Sequence, residues 1–362
     1  MARLSDLATV ITKGTTPTSL GFAFQNEGIN FVKIESVDDN GNFIFEKFDH
    51  ISNGCHEKLK RSQLQENDIL FSIAGAIGRT AIVTKDILPA NTNQALAIIR
   101  IPEGVINYSF LLYILQSSAV IEQTEKKKQG VAQLNLSLKD IGDFIIPDIP
   151  LEQQKIIVET LDKVNNVISL RKQQLLKLDE LVKSRFIEMF GEINAPSKWD
   201  KKPWAELVTI RNGRDYKHIV VESGGYAVYG TGGEMARASD YLCPENTIIV
   251  GRKGTINNPL LVKEKIWNVD TAFGVIVGEQ LHYQYFYGFC KMFDFSTLNK
   301  QAVLPSTTKA DLLKIQIAVP PIKLQEQFAT FVEQVDKSKF EIQKSLEKLE
   351  TLKKALMQKY FG

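Results

Sequence analysis

Ile145-Ile146-Pro147-Asp148-Ile149-Pro150-Leu151-Glu152-Gln153-Gln154 has a counterpart late in the chain, Ile317-Ala318-Val319-Pro320-Pro321-Ile322-Lys323-Leu324-Gln325-Glu326-Gln327. Each reads as an apolar strand, a proline stop, and a Leu-Glu/Gln-Gln/Glu-Gln opening of a helix. The helices that follow also close alike, on Arg185-Phe186-Ile187-Glu188-Met189-Phe190-Gly191 and Ala355-Leu356-Met357-Gln358-Lys359-Tyr360-Phe361-Gly362. Matching Leu151 to Leu324 gives an offset of 173 residues, and matching Gly191 to Gly362 gives 171. A spacing this constant over a whole helix marks an internal duplication.

Earlier segments repeat in the same order. Leu4-Ser5-Asp6-Leu7-Ala8-Thr9-Val10-Ile11 resembles Trp204-Ala205-Glu206-Leu207-Val208-Thr209-Ile210, followed by Gly14 and Gly213 respectively. Glu66-Asn67-Asp68-Ile69-Leu70-Phe71 resembles Glu245-Asn246-Thr247-Ile248-Ile249-Val250, and each leads into a glycine-bearing turn. Asn91-Thr92-Asn93-Gln94-Ala95-Leu96 reads against Asn268-Val269-Asp270-Thr271-Ala272-Phe273, and Gln129-Gly130-Val131 against Gln301-Ala302-Val303. The scaffold repeats while the loops diverge, the pattern of one fold carrying two specificities.

Both halves are long enough for a core of their own. Composition is ordinary for a soluble protein, with 44% hydrophobic and 24% charged residues. No apolar run reaches the roughly 20 residues of a membrane helix, and no secretory leader is read at the start. Cys55, Cys243 and Cys290 are odd in number and widely spaced, which fits a reducing cytoplasm rather than a disulfide framework. The net charge of only +2 excludes a simple polycationic binder but allows a locally basic groove.

Residues 152–190 and 324–361 lack proline and are rich in leucine, lysine, glutamate and glutamine. Leu161, Ile168, Leu175, Val182 and Met189 recur every seven residues, as do Phe328, Val335, Ile342, Leu349 and Leu356. That is a coiled-coil seam. The first helix would be roughly 58 Å long at 1.5 Å per residue. The simplest path makes the two helices antiparallel. Matching the terminal glycines sets Arg171 and Arg185 against Ile342 and Leu356, and Ile168 and Val182 against Lys339 and Lys353. Unlike seams favour pairing with each other over self-pairing. The expected fold is therefore α+β, two mixed α/β domains joined by two long antiparallel helices with a pseudo-two-fold repeat. Its parts are 1–150, a spacer helix at 151–191, 192–321, and a second spacer helix at 322–362.

The diverging loops carry the chemistry of groove reading, since Arg and Lys suit phosphates and guanine while Asn and Gln suit adenine. The candidates in the first half are Lys13, Thr15, Thr16, Arg79, Asn93, Lys128, Gln133 and Asn135, the last three in a loop read from Lys126 onward. In the second half they are Arg211, Arg214, Tyr216, Lys217, Tyr229, Arg252, Lys253 and Lys300. His50, His56, His218 and His282 have no metal-ligand spacing. Asn258-Pro259-Leu260 is the nearest approach to a methyltransferase base-flipping motif, yet it lacks the second proline and the aromatic. No P-loop is present, and no catalytic or metal site is expected.

The duplicated proline-to-glutamine helix openings, the Phe-Gly helix ends and Glu-Asn-Asp-Ile-Leu with its glycine turn resemble the specificity subunits of type I restriction-modification systems. The resemblance covers essentially the whole chain. It implies two target recognition domains, each reading one half of a bipartite, asymmetric double-stranded DNA site, with helices setting the unread spacer. It also implies docking of two adenine-N6 methyltransferase subunits and of endonuclease/translocase subunits. No cofactor is expected in this chain, S-adenosylmethionine belonging to the methyltransferase partner. Two alternatives stay open: a stand-alone DNA methyltransferase-like enzyme, and a coiled-coil scaffold without base readout.

Overall fold

The computed structural model describes residues 1–127, 135–298 and 305–362, and it divides into two compact units. Unit 1 comprises Met1–Leu170 with Leu346–Gly362, and unit 2 comprises Arg171–Ser345. The division cuts both long helices, so each helix belongs in part to each unit.

Unit 1 opens with strand β1 (Ala2–Arg3), helix α1 (Leu4–Leu7), β2 (Val10–Lys13), β3 (Ile29–Val32), β4 (Asp49–Ile51) and α2 (Asn53–Lys58). It continues through β5 (Ile69–Ser72), β6 (Thr80–Ile82), β7 (Ala90–Thr92) and β8 (Leu96–Arg100). Then come α3 (Tyr108–Leu115), α4 (Ser118–Lys127), α5 (Leu138–Gly142), β9 (Ile145–Ile146) and the spacer helix α6 (Leu151–Phe190). The main sheet has the order β2-β8-β5-β6, a second sheet has β4-β3-β7, and β1 pairs with β9.

Unit 2 runs β10 (Lys201–Pro203), α7 (Trp204–Leu207), β11 (Val208–Asn212), β12 (Val220–Val221), β13 (Tyr226–Gly230) and β14 (Gly233–Ala238). It proceeds to β15 (Thr247–Gly251), β16 (Leu260–Val262), β17 (Ile266–Asn268), β18 (Ala272–Val277), α8 (Tyr283–Met292), α9 (Lys309–Leu312), β19 (Gln316–Ala318) and α10 (Ile322–Phe361). Its sheets are β11-β18-β15-β16, β12-β14-β13-β17 and β10-β19. The first of these repeats the main sheet of unit 1 strand for strand. In both units a parallel pair, β3 with β7 and β13 with β17, is the joint of the second sheet.

The central strands explain why their sequences read as unbroken apolar runs. Side chains alternate between faces, and both faces of β5 are covered. Ile69 and Phe71 enter the helix-side core while Leu70 enters the core against the second sheet. Ile248 and Val250 likewise part from Ile249. The Glu-Asn pairs have a backbone cause. Among the described residues, Asn67 and Asn246 are the non-glycine residues with positive φ, at 69° and 61°, in the turns that open β5 and β15. Asparagine tolerates that left-handed conformation better than most L-residues.

The spacer helices are 40 residues each, about 60 Å at 1.5 Å per residue. They run antiparallel within each unit. In unit 1, Ile157, Val158 and Leu161 share a core with Leu356, Met357 and Phe361. In unit 2, Val182, Phe186 and Phe190 share one with Phe328 and Val332. Of the seam residues, Leu161, Ile168 and Val335 are buried, and Leu175, Val182, Ile342, Leu349 and Leu356 are half-buried. Arg171, Arg185, Lys339 and Lys353 are half-buried with them. The Arg185 guanidinium lies 5.7 Å from the Phe331 ring and bonds Glu188 at 2.8 Å, and Lys339 pairs with Asp179. Long stems on the apolar seam with charged heads outside account for cations at these positions.

The repeat register at the helix openings differs from the leucine match. Gln154 is buried, with its carbonyl accepting from Asn107 N (2.8 Å) and its amide donating to Ile149 O (2.7 Å). Gln325 is equally buried, accepting from His282 N (2.7 Å) and donating to Gln280 O (3.0 Å) and Pro320 O (2.8 Å). The equivalent residues are therefore Gln154 and Gln325, at an offset of 171. Leu151 corresponds to Ile322 rather than Leu324. One offset then holds from Pro150/Pro321 to Gly191/Gly362. Lys126 and Lys127, read from the sequence as the start of a loop, instead end α4.

Each buried glutamine grips the residue that caps an earlier helix, α3 or α8. Asn107 accepts from Phe110 N at the start of α3, and His282 Nδ1 accepts from Gln284 N (3.2 Å) at the start of α8. Accepting that bond requires a neutral imidazole. Burial lowers the His282 pKa, against the smaller opposing pull of Glu326 and Glu333. A depressed histidine pKa gives stability that is full above the unfolded value, about 6.5, and is lost as pH falls through the lower folded value. His282→Asn keeps a capping acceptor that does not titrate. It is expected to flatten the pH dependence of unit 2 unfolding below about pH 6.5; an unchanged profile would exclude His282 as its source.

Candidate nucleic-acid interface

The strand exits of each unit converge on one short segment, the turn between β7 and β8 in unit 1 and between β17 and β18 in unit 2. At the exit of β2, Gly14 crosses this turn so closely that a Cβ would lie 2.0 Å from Thr92 O. At the exit of β11, a Cβ on Gly213 would lie 1.8 Å from Val269 O. Only glycine fits either crossing. The next residue is anchored in both units, Thr15 N donating to Thr92 O (3.1 Å) and Arg214 N to Asn268 O (3.0 Å).

The exits of the central strands meet the same turn. Ile73 N donates to Ala95 O and Arg252 N to Thr271 O, each at 2.8 Å. The chain returning from the far side closes the cluster. Leu136 N donates to Ile73 O and Thr307 N to Arg252 O, each at 3.0 Å, beside the bridges Ala74–Asn135 and Lys253–Ser306. Val32, ending β3, and Tyr229, next to last in β13, pair with Thr92 and Asn268.

These backbone contacts fix the equivalences. Thr92 corresponds to Asn268, Asn93 to Val269 and Gln94 to Asp270, at an offset of 176. Matching Asn91 to Asn268 by residue type is one residue out of register. Their side chains differ accordingly. Asn91 donates to Leu59 O and Ser62 Oγ (both 3.1 Å) and meets His56 Nδ1. Asn268 donates to Ala272 O (3.0 Å) and Arg211 O (3.4 Å) and accepts from the Cys243 thiol at 3.3 Å. Burial pushes that thiol up to about 11, so it stays protonated and structural. All three cysteines are free and buried. Among the described residues there is no cluster of His, Cys, Asp and Glu able to hold a metal.

Residues 1–180 and 196–354 match the type I restriction modification DNA specificity domain. The chain belongs to this family. It is similar to the EcoBI type I restriction enzyme specificity subunit of Escherichia coli, 33% identical over 176 residues, covering 47% of this chain and 36% of that protein. The matched stretch thus spans about a third of the E. coli subunit's length. The putative MjaX specificity subunit of Methanocaldococcus jannaschii is 24% identical over 395 residues, covering 98% of this chain and 90% of that one. Among solved structures, a chain from work on complex assembly and conformational transition of the type I R-M system shares the fold, with TM-score 0.63, 17% identity and coverage of 99% and 96%. The S subunit from M. genitalium shares it with TM-score 0.60, 15% identity and coverage of 99% and 95%.

In this specificity chain, most of the candidates that the structure describes lie on or beside the two turns. Lys13 is exposed at the end of β2, and Thr15, Thr16 and Asn93 are half-buried on the unit 1 turn. Thr16 bonds Gln94, and Asn93 Oδ1 accepts from Ala95 N (3.0 Å). Asn135 is exposed on the returning segment. In unit 2, Arg211 donates to Leu242 O (2.8 Å), while Arg214 and Lys253 are exposed. Arg252 is half-buried, its guanidinium 5.8 Å from the Phe273 ring and 3.3 Å from Asp270 O. Tyr229 lies at the exit of β13, its hydroxyl pKa raised by burial and then by Glu234 and Glu264.

Other candidates are placed differently. Arg79 donates to Asp39 (2.8 Å) and to the carbonyls of Ile34 (3.4 Å) and Val37 (3.2 Å), which makes it an internal clamp. Tyr216 packs on the Val228, Ala238, Trp267 and Val269 cluster, and Lys217 is exposed on the next turn. Lys128, Gln133 and Lys300 lie outside the described residues. Two residues not singled out from the sequence join the unit 1 turn: Gln94, through Thr16, and Arg61, which donates to Thr15 Oγ1 at 3.5 Å. Gln94 stands within the Asn-Thr-Asn-Gln stretch, but nothing in the spacing of Arg61 points to Thr15.

Proposed function

We propose that this chain is a non-catalytic, cytoplasmic DNA sequence-recognition subunit whose two units each read one half of a bipartite, asymmetric site. The observation that carries this reading is the pair of equivalent turns, alike in backbone contacts and unlike in side chains. Rigid scaffolds that present variable side chains at one place suit readers of different sequences. The spacer helices contribute to both units, and in this reading they set the unread spacer and dock two adenine-N6 methyltransferase subunits. S-adenosylmethionine would bind those partners, and endonuclease/translocase subunits would join the same assembly. The modest net charge of +2 suits a chain that shares the phosphate grip with partners.

The test exchanges residues 198–320 for the second domain of another member of the family and maps the sequences methylated in cells that carry the full system. One half-site should change and the other should persist. Change in both halves, or in neither, would contradict two independent readers.

A further inference from the structure

The register of the two turns allows a comparison position by position. Where unit 1 has Thr15, Ile73 and Ala74, unit 2 has Arg214, Arg252 and Lys253. Where unit 1 has Thr16, Asn93 and Gln94, unit 2 has Asp215, Val269 and Asp270. Three cations and two carboxylates thus replace neutral groups on one backbone frame. A phosphate grip alone does not explain that exchange, because Asp215 and Asp270 are exposed beside the cations and repel phosphate.

Resting on the DNA-reading function proposed above, we infer that the two units read opposite base-pair chemistries. Unit 2 reads a half-site containing G·C pairs, with Arg214, Arg252 or Lys253 donating to guanine O6 and N7 and Asp215 or Asp270 accepting from cytosine N4. Unit 1 reads A·T pairs, with the amides of Asn93 and Gln94 on adenine and the Thr15 methyl against thymine. These are the pairings that major-groove edges offer such side chains. In unit 2, availability and placement agree with the roles, while in unit 1 the Asn93 and Gln94 carbonyl oxygens already hold Ala95 N and Thr16 and leave their NH2 groups to donate. Among the described residues, the Arg214 and Lys253 side chains make no hydrogen bond or ion pair. Arg252 uses one donor on Asp270 O and is steadied by the Phe273 ring, so further guanidinium donors remain.

The experiment selects duplexes from a randomised DNA pool with the purified full-length chain and its Arg214→Gln, Arg252→Gln and Asn93→Ala variants, each at several salt concentrations. The wild type should enrich a site with G·C pairs in one half and A·T pairs in the other. Arg214→Gln or Arg252→Gln should shift one position from guanine toward adenine, with a loss of guanine preference of about tenfold or more. The other half-site should be untouched. Asn93→Ala should relax one A·T position in the opposite half. If both arginine variants weaken every sequence evenly and lower the salt dependence, they are phosphate contacts and the inference fails while the DNA reading stands. A wild-type chain that enriches no sequence, either alone or assembled with methyltransferase subunits of its system, overturns the DNA reading and the inference together.

Discussion

A Gly213→Ala chain is expected to lose about 3 kcal/mol or more of unit 2 stability, the upper end of the usual overpacking cost. The added methyl would stand 1.8 Å from Val269 O and 2.3 Å from its carbon. Both are backbone atoms, so no rotamer change relieves the clash. The β11 exit must separate from the turn, which breaks the 3.0 Å bond from Arg214 N to Asn268 O and loosens the pairing of Asn212 with Phe273. For a unit of this size the melting temperature should fall by about 6 °C or more. Gly14→Ala should do the same to unit 1, where the methyl would meet Thr92 O at 2.0 Å. Gly232→Ala is the control, since nothing lies within 4 Å of its Cβ position. Thermal unfolding decides the matter, and a Gly213→Ala chain as stable as the Gly232→Ala control would refute the close crossing. Such a variant should also lose sequence preference in one half-site while keeping the other.

The buried glutamines give the second large effect. Gln154→Leu preserves volume but strands Asn107 N–H and Ile149 C=O, two half-buried groups that cost up to about 1–3 kcal/mol each. Gln325→Leu strands three, His282 N–H with the carbonyls of Gln280 and Pro320, and should be the more damaging of the pair. The loss should be local as well as global. Amide exchange at Asn107 in one variant and at His282 in the other should accelerate, because each glutamine ties a spacer helix to the capped helix beside it. Denaturant unfolding with residue-resolved hydrogen exchange would show this. The reverse ranking, or stability equal to wild type, would mean that these bonds do not hold the helices to the units.

The duplication, the two spacer helices and the double set of sheets were legible because they rest on patterns the chain itself carries. Seven-residue spacing from Leu161 to Val182 survives any loop change. The paired Glu-Asn turns repeat because β5 and β15 both need a residue that accepts positive φ before them. Register was harder to read. Leu151 and Leu324 look equivalent, yet the buried amides pair Gln154 with Gln325. Asn91 and Asn268 look equivalent, yet shared backbone contacts pair Thr92 with Asn268. Side-chain likeness misleads here because the backbone hydrogen bonds, not the residue type, define each place in the fold.

The candidate site divides in the same way. Thr15, Asn93, Arg214, Arg252 and Lys253 were visible as loop chemistry, but not that they gather on one turn per unit. Arg79 has the same local signature as a nucleic-acid contact and is instead held by Asp39 and two carbonyls. Arg61 reaches Thr15 from a distant segment.

By itself the sequence determined that this protein is one unit written twice, with two helices of matching length and loops free to differ. Periodicity and local backbone preference act over a few residues, so they are fully encoded in neighbouring positions. Only the tertiary structure decided which loop residues stand together and which are absorbed into the scaffold. That outcome depends on long-range pairing of strands, and on two glycines whose lack of a side chain lets one strand exit cross another.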